Sequence, residues 1–176
     1  GGSATVNFGG DITLWLGNPD KTIFLYFDLS AIPAGARVTE ADLVLTFAAD
    51  NGLGANAIEI GGVPQRWDEL QLTYSNQPSV AWSGQRQTVS ANGPVRWDVR
   101  AAVAAWLDGS RRNSGLALRG DGPLKGARSR EFSGTSDRPK LRIRYERAAT
   151  GGGAPTLDIQ TELEMIPATF PDEVGY

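Results

Sequence analysis

Few side chains in this sequence are equipped for chemistry. Carboxylates, tryptophans and lysines are present, but there is neither a histidine nor a cysteine among 176 residues. Without histidine the commonest general base and transition-metal ligand are missing. Without cysteine there is no disulfide, no thiolate nucleophile and no zinc–thiolate site. The serines have no histidine partner, and neither a Gly-x-Ser-x-Gly elbow nor a phosphate loop is present. Glycoside hydrolysis needs two carboxylates at a fixed separation, one with a raised pKa. The obvious acids are Asp28 and the pair Asp68-Glu69, and the pair is read more simply as capping or turning the backbone. The chain is read as a non-enzyme.

Metal and sugar chemistry remain. Asp50-Asn51-Gly52 and Gly120-Asp121-Gly122 are oxygen-rich loops of the kind that helps hold Ca²⁺. Neither matches an EF-hand or a glycine–aspartate repeat, so the plain turn is preferred and no metal ligand is assigned. Sugar rings are gripped by exposed aromatic faces with polar neighbours. Of the five tryptophans, Trp15 alternates out of phase with Leu14 and Leu16, and Trp82 lies in a polar stretch read as a loop. These two are the candidate glycan platforms. Lys21, Lys125 and Lys140 could form an isopeptide bond with an Asn or Asp, but nothing singles out a partner.

The elements that must position these residues are mostly strands. Hydrophobic residues make up 40 % and charged residues 21 %, which suits a globular fold, and 22 glycines with 10 prolines suit many short strands joined by turns. Alternation marks strands at 4–8 and 12–16, then 22–29 with Ile23, Leu25, Phe27 and Leu29 on one face, and 41–47 with Leu43, Leu45 and Phe47 inward. Further strands are predicted at 57–60, 115–118, near 131–133 and at 140–145, with weaker signals at 71–74 and 88–89. One stretch has helical period: Val99, Val103, Trp106 and Leu107 share a face, with Asp98 as N-cap and Gly109 as stop. The pattern predicts an all-β, antiparallel two-sheet sandwich with one short helix at about 98–108. No apolar run approaches the ~20 residues of a membrane helix, so no membrane insertion is expected.

Several segments in order resemble the DNRLRE-domain family. They are Tyr26-Phe27-Asp28-Leu29-Ser30-Ala31-Ile32-Pro33-Ala34-Gly35-Ala36, Ala41-Asp42-Leu43-Val44-Leu45-Thr46, and Trp67-Asp68-Glu69 with Leu72-Thr73-Tyr74-Ser75-Asn76-Gln77-Pro78. Trp97-Asp98-Val99 with Val103-Ala104-Ala105-Trp106-Leu107-Asp108-Gly109, Asn113-Ser114-Gly115-Leu116-Ala117-Leu118, and Glu131-Phe132-Ser133 with Arg138-Pro139-Lys140-Leu141-Arg142-Ile143-Arg144-Tyr145 complete the set. The resemblance covers roughly residues 4–147. It implies a jelly-roll sandwich of bacterial or archaeal surface and secreted proteins, some of whose relatives bind carbohydrate, alginate included. It places Trp67, Trp97 and Trp106 in the framework and transfers no ligand-binding residue.

The tail lies outside that resemblance. The organisation read from the sequence is a sandwich at 1–149, a glycine-rich hinge at 150–156 and a strand-like tail at 157–176. In the tail Leu157, Ile159, Thr161, Leu163 and Met165 alternate with Asp158, Gln160, Glu162 and Glu164. From Gly151 onward there are five of the twenty acids and none of the seventeen bases. The bases concentrate between Arg111 and Arg147, eleven against four acids. They alternate with apolar residues as on a wet strand face and match no nucleic-acid motif, so no nucleic-acid partner is expected. A lone strand must pair with a sheet. It either folds back on its own domain or crosses to a second copy and completes that copy's sheet. The three-glycine hinge favours the crossing, and with it a structural subunit of an extracellular or cell-surface filament whose copies join head to tail. The alternative is a carbohydrate-binding module of a larger secreted enzyme. No cofactor is assigned.

Overall fold

Leu141, Ile143 and Tyr145 are buried while Arg142 and Arg144 between them reach outward, so one strand states the plan of the whole molecule. The computed structural model describes residues 5–17, 21–50, 54–147 and 157–170, with backbone only at 49 and 50. In chain order the strands are β1 (Thr13–Leu16), β2 (Thr22–Leu25), β3 (Arg37–Asp50), β4 (Asn56–Gly62), β5 (Ala81–Val89), β6 (Gly93–Asp98), β7 (Leu116–Gly120), β8 (Lys125–Arg128), β9 (Lys140–Arg147) and β10 (Leu157–Glu164). The helix α1 (Arg100–Leu107) follows β6. One sheet runs β1-β8-β3-β9-β10 with β6 also on β3, and the other runs β2-β7-β4-β5. Every pairing is antiparallel. The predicted two-sheet sandwich is the fold.

The geometry of β3 fixes where the site falls. Asp42–Val44 pairs with β6 on one edge and β9 on the other. Phe47 pairs with both β6 and β8, so β8 continues the β9 edge, with a register shift between Phe47 and Ala49. Because β1 adds to β8 and β10 adds to β9, β1 and β10 lie in line along the same outer edge of the sheet. The gap between them is the candidate site described below.

Between the sheets lie Phe27, Leu43, Leu45, Phe47, Ile58, Leu116, Leu118 and Leu141. Trp97 is fully buried at the centre, and its indole N–H on β6 donates to the carbonyl of Ile58 on β4, 3.2 Å away, tying one sheet to the other. The helix forms as its periodicity predicts, with Val99 and Val103 buried and Trp106 and Leu107 partly so. Its cap is Val99 rather than Asp98. The Asp98 carboxylate still receives the Arg100 amide at 2.9 Å, so it serves a first-turn donor from one residue further out.

Several strand boundaries differ from the sequence reading, and each difference has a local cause. Residues 5–8 are irregular, and Val6 and Phe8 are exposed. Strand β2 stops at Leu25 although Phe27 and Leu29 stay buried; Asp28 turns the chain by accepting the Ser30 amide and hydroxyl. Residues 71–74 are not a strand, because Asp68 and the Thr73/Asn76 reciprocal pair wind 69–76 into turns. Residues 131–133 form a turn bonded to Ser129. The weak strand signal at 88–89 is the end of β5; the rest of β5, together with β6 and β8, is additional to the reading. Strand β5 lies at the edge of its sheet and exposes both faces, so its sequence has no apolar period to detect.

The tail strand β10 pairs with β9 of its own chain, from Leu157↔Arg147 to Glu164↔Lys140. Of the two arrangements open to it, the fold-back is the one present. Ile159 and Leu163 pack against the core and Met165 is buried, but Leu157, expected on the same inward face, is 53 % exposed. It sits at the first residue of the strand, beyond the cover of the sandwich. The acidic face meets the basic one: Glu162 bridges Lys140 at 2.5 Å and Arg142 at 2.6 Å, with Asp158 near Arg144 and Glu164 near Arg138. Each such exposed pair contributes about 0.2–1 kcal/mol, so the buried side of the strand matters at least as much.

Candidate functional site

Where β1 and β10 fail to meet, a cavity of about 440 Å³ opens, within the range of small-ligand sites. Four pieces of chain line it. The irregular N-terminal run supplies Asn7 and Phe8, β1 supplies Thr13 and Trp15, and the start of β2 supplies Lys21, Thr22 and Phe24. The loop after β4 supplies Trp67, Glu69, Leu72, Thr73, Tyr74 and Gln77, and Met165 closes the side toward β10. Phe8 and Tyr74 are 52 % and 51 % exposed and Trp15 is half-buried, so three aromatic rings reach solvent around one opening. Phe24 and Trp67 are buried behind them, 5.5 Å apart and tilted.

The walls are held by specific contacts. The Trp67 indole N–H donates to the Ser114 carbonyl at 2.8 Å, anchoring the loop to the strand entering β7. The Asn7 side-chain amide donates to the carbonyls of Glu69 and Leu72 at 2.5 and 2.7 Å, binding the N-terminal run to the loop. Gly9 permits that approach: a Cβ there would stand 3.0 Å from the Glu69 backbone oxygen. The Lys21 ammonium lies 5.8 Å from the centre of the Phe8 ring and lines the cavity with it.

Among the described residues Glu69 is the single acid on the cavity wall, and it is buried. Burial raises its carboxyl pKa, opposed by Arg130, which approaches both carboxylate oxygens at 3.3 Å. A second, polar cavity of about 280 Å³ adjoins the first across Trp67, Leu72 and Gln77, and Gln65, Arg66, Asp68, Gln71 and Asn76 line it.

The two tryptophans singled out from the sequence are not brought together. Trp15 lines the groove; Trp82 does not. Trp82 lies on β5 rather than in a loop, half-buried, with the Arg119 guanidinium 4.1 Å from its ring centre. Arg119 in turn holds the buried Glu59 at 2.9 Å. Of the two oxygen-rich loops, 51–52 lies outside the described residues. Gly120-Asp121-Gly122 turns between β7 and β8, with Gly122 bonded to Asn56 and Asp121 3.8 Å from Arg86. No group of three or more metal-ligating side chains occurs among the described residues. Sequence reasoning missed Phe8, Lys21, Glu69 and Tyr74 as groove residues. The available signal was Gly9-Gly10, which ends any strand at Phe8 and leaves that ring at a turn.

A two-sheet sandwich with exposed aromatic rings and hydrogen-bonding side chains around a groove defines a ligand-binding module. The chain belongs to carbohydrate-binding module family 96, which matches residues 1–145. This name, rather than the DNRLRE one, is what the comparison supports, over nearly the same stretch. A search of the curated proteins returns no significant match. The family match ends within β9 and leaves out β10. Among the described residues no helix is long and apolar enough to cross a membrane.

Proposed function

We propose that this chain binds a polysaccharide in the groove between β1 and β10, without cleaving it, as the recognition module of a secreted or surface-displayed protein. The observation that carries the reading is the gathering of Phe8, Trp15 and Tyr74 around one opening beside Thr13, Lys21, Thr73 and Gln77. Aromatic faces pack on the C–H faces of sugar rings, and the hydroxyl, amide and ammonium groups satisfy sugar oxygens that would otherwise be stripped of water. The adjoining polar cavity extends the track, which suits a chain rather than a single sugar.

The sequence favoured another role, strand donation to a neighbouring copy. That role draws no support from a strand already paired along its length with β9 of the same chain.

Native gel electrophoresis of the whole chain in gels containing soluble polysaccharides tests the proposal, using a neutral β-glucan, a xylan and an alginate-type polyuronate. At least one should retard the chain, and Trp15→Ala/Tyr74→Ala should abolish the retardation. Unchanged retardation of the double variant, or free migration of the native chain in every gel, would overturn it.

A further inference from the structure

The segment that follows β10 runs across the open side of the sandwich, from the edge of one sheet to the other. The amide of Met165 donates to the carbonyl of Pro139 at 3.4 Å, just before β9, and the amide of Ile166 donates to the carbonyl of Tyr26 at 3.1 Å, just beyond β2. Two residues on, the amide of Glu69 donates to the carbonyl of Ala168 at 3.2 Å. Ala168 is 1 % exposed and lies in one buried cluster with Phe24 and Trp67, the two rings that back the groove. Phe170 meets Tyr26 edge to face at 4.9 Å and has the Arg66 guanidinium 5.3 Å from its ring centre. Met165 itself lines the groove.

Both walls of the groove therefore rest on a piece of chain that the family match, ending at residue 145, does not include. We propose that residues 165–170 are a working part of the site, a strap that positions the Glu69–Tyr74 loop against β2, with Met165 as a contact for the ligand. The inference rests on the groove being the glycan site. Its logic is positional: Glu69 is bonded through its amide to the strap and through its carbonyl to Asn7. Release of the strap frees the loop and the N-terminal run together, and leaves Phe24 and Trp67 without their backing.

The test uses the full chain carrying Ala168→Glu, which places a charge where burial forbids it. Amide hydrogen exchange is followed at residues 5–9 and 69–77, with gel retardation by the polysaccharide that retains the native chain. The strap predicts at least tenfold faster exchange in both stretches, unchanged exchange in β3 and β6, and at least tenfold weaker retention. Unchanged exchange in the two stretches, or faster exchange with native retention, overturns the inference. If exchange rises while the native chain is retained by no polysaccharide, the strap stands as a structural support and the glycan reading falls. Should Ala168→Glu fail to fold, Met165→Ala/Phe170→Ala carries the same readouts with a three- to tenfold effect, and native values for both would overturn the inference.

Discussion

Arg130 and Glu69 face each other at 3.3 Å beneath the groove, an ion pair in which the acid is buried and the arginine is 23 % exposed. The pair is unequal. Burial drives the carboxyl pKa up, and Arg130 only partly offsets it. A carboxyl pKa raised by folding means the fold holds the proton more tightly than the unfolded chain does. Its contribution to stability is fullest below the ordinary carboxylate range and is lost as pH rises through the folded value.

Glu69→Gln should therefore gain stability relative to the native chain as pH rises from 4 to 7. Urea unfolding at both values measures this. A loss of stability of Glu69→Gln relative to the native chain as pH rises would contradict the burial argument.

Glu162 has the opposite sign. Hydrogen bonds from Lys140, then Arg142, lower its pKa, so its contribution is present above the ordinary carboxylate range and is lost as pH falls through the folded value. Acidification should loosen β10 before the rest of the sheet. Amide exchange in 157–164, corrected for intrinsic rates, should rise below that range in the native chain and depend less on pH in Glu162→Gln.

Arg119→Ala should destabilise the fold by about 1–3 kcal/mol, because Glu59 stays buried while losing its nearest cation and Trp82 loses its cover. Arg86, 3.4 Å from Glu59, limits the cost. For a chain of this size that is a fall in Tm of roughly 2–12 °C. Polysaccharide retention should be unaffected, since neither residue lines the groove.

Gly115 has φ +91°, and a Cβ there would lie 2.2 Å from the Leu25 carbonyl oxygen. Gly115→Ala combines backbone strain with a clash against β2 and should cost more than about 3 kcal/mol. Differential scanning calorimetry would register it as a large drop in Tm or loss of the transition.

The sandwich was legible because period-2 alternation survives wherever one face is wet, as at Leu141 to Tyr145. The helix was legible because Val99, Val103, Trp106 and Leu107 keep a helical period. Strand β5 was legible only at its end, 88–89, because Trp82 and its neighbours lie on an edge exposed on both faces, where polarity imitates a loop. The groove was half legible. Trp15 betrays itself by pointing away from Leu14 and Leu16. Phe8 and Tyr74 do not, because they belong to turns whose convergence depends on Asn7 reaching Glu69 and Leu72, contacts more than sixty residues apart in sequence. The alternation of the tail showed a strand and its inner face, but the same pattern serves pairing in cis and in trans.

The most direct test of the central claim compares the two aromatic faces by isothermal titration with oligosaccharides of the polysaccharide that retains the native chain. Tyr74→Ala should weaken binding by about 1–2 kcal/mol, roughly five- to thirtyfold in Kd, and Trp82→Ala should leave Kd unchanged. Loss of affinity in Trp82→Ala with native affinity in Tyr74→Ala would contradict the account and move the site to the outer face of the β4–β5 sheet.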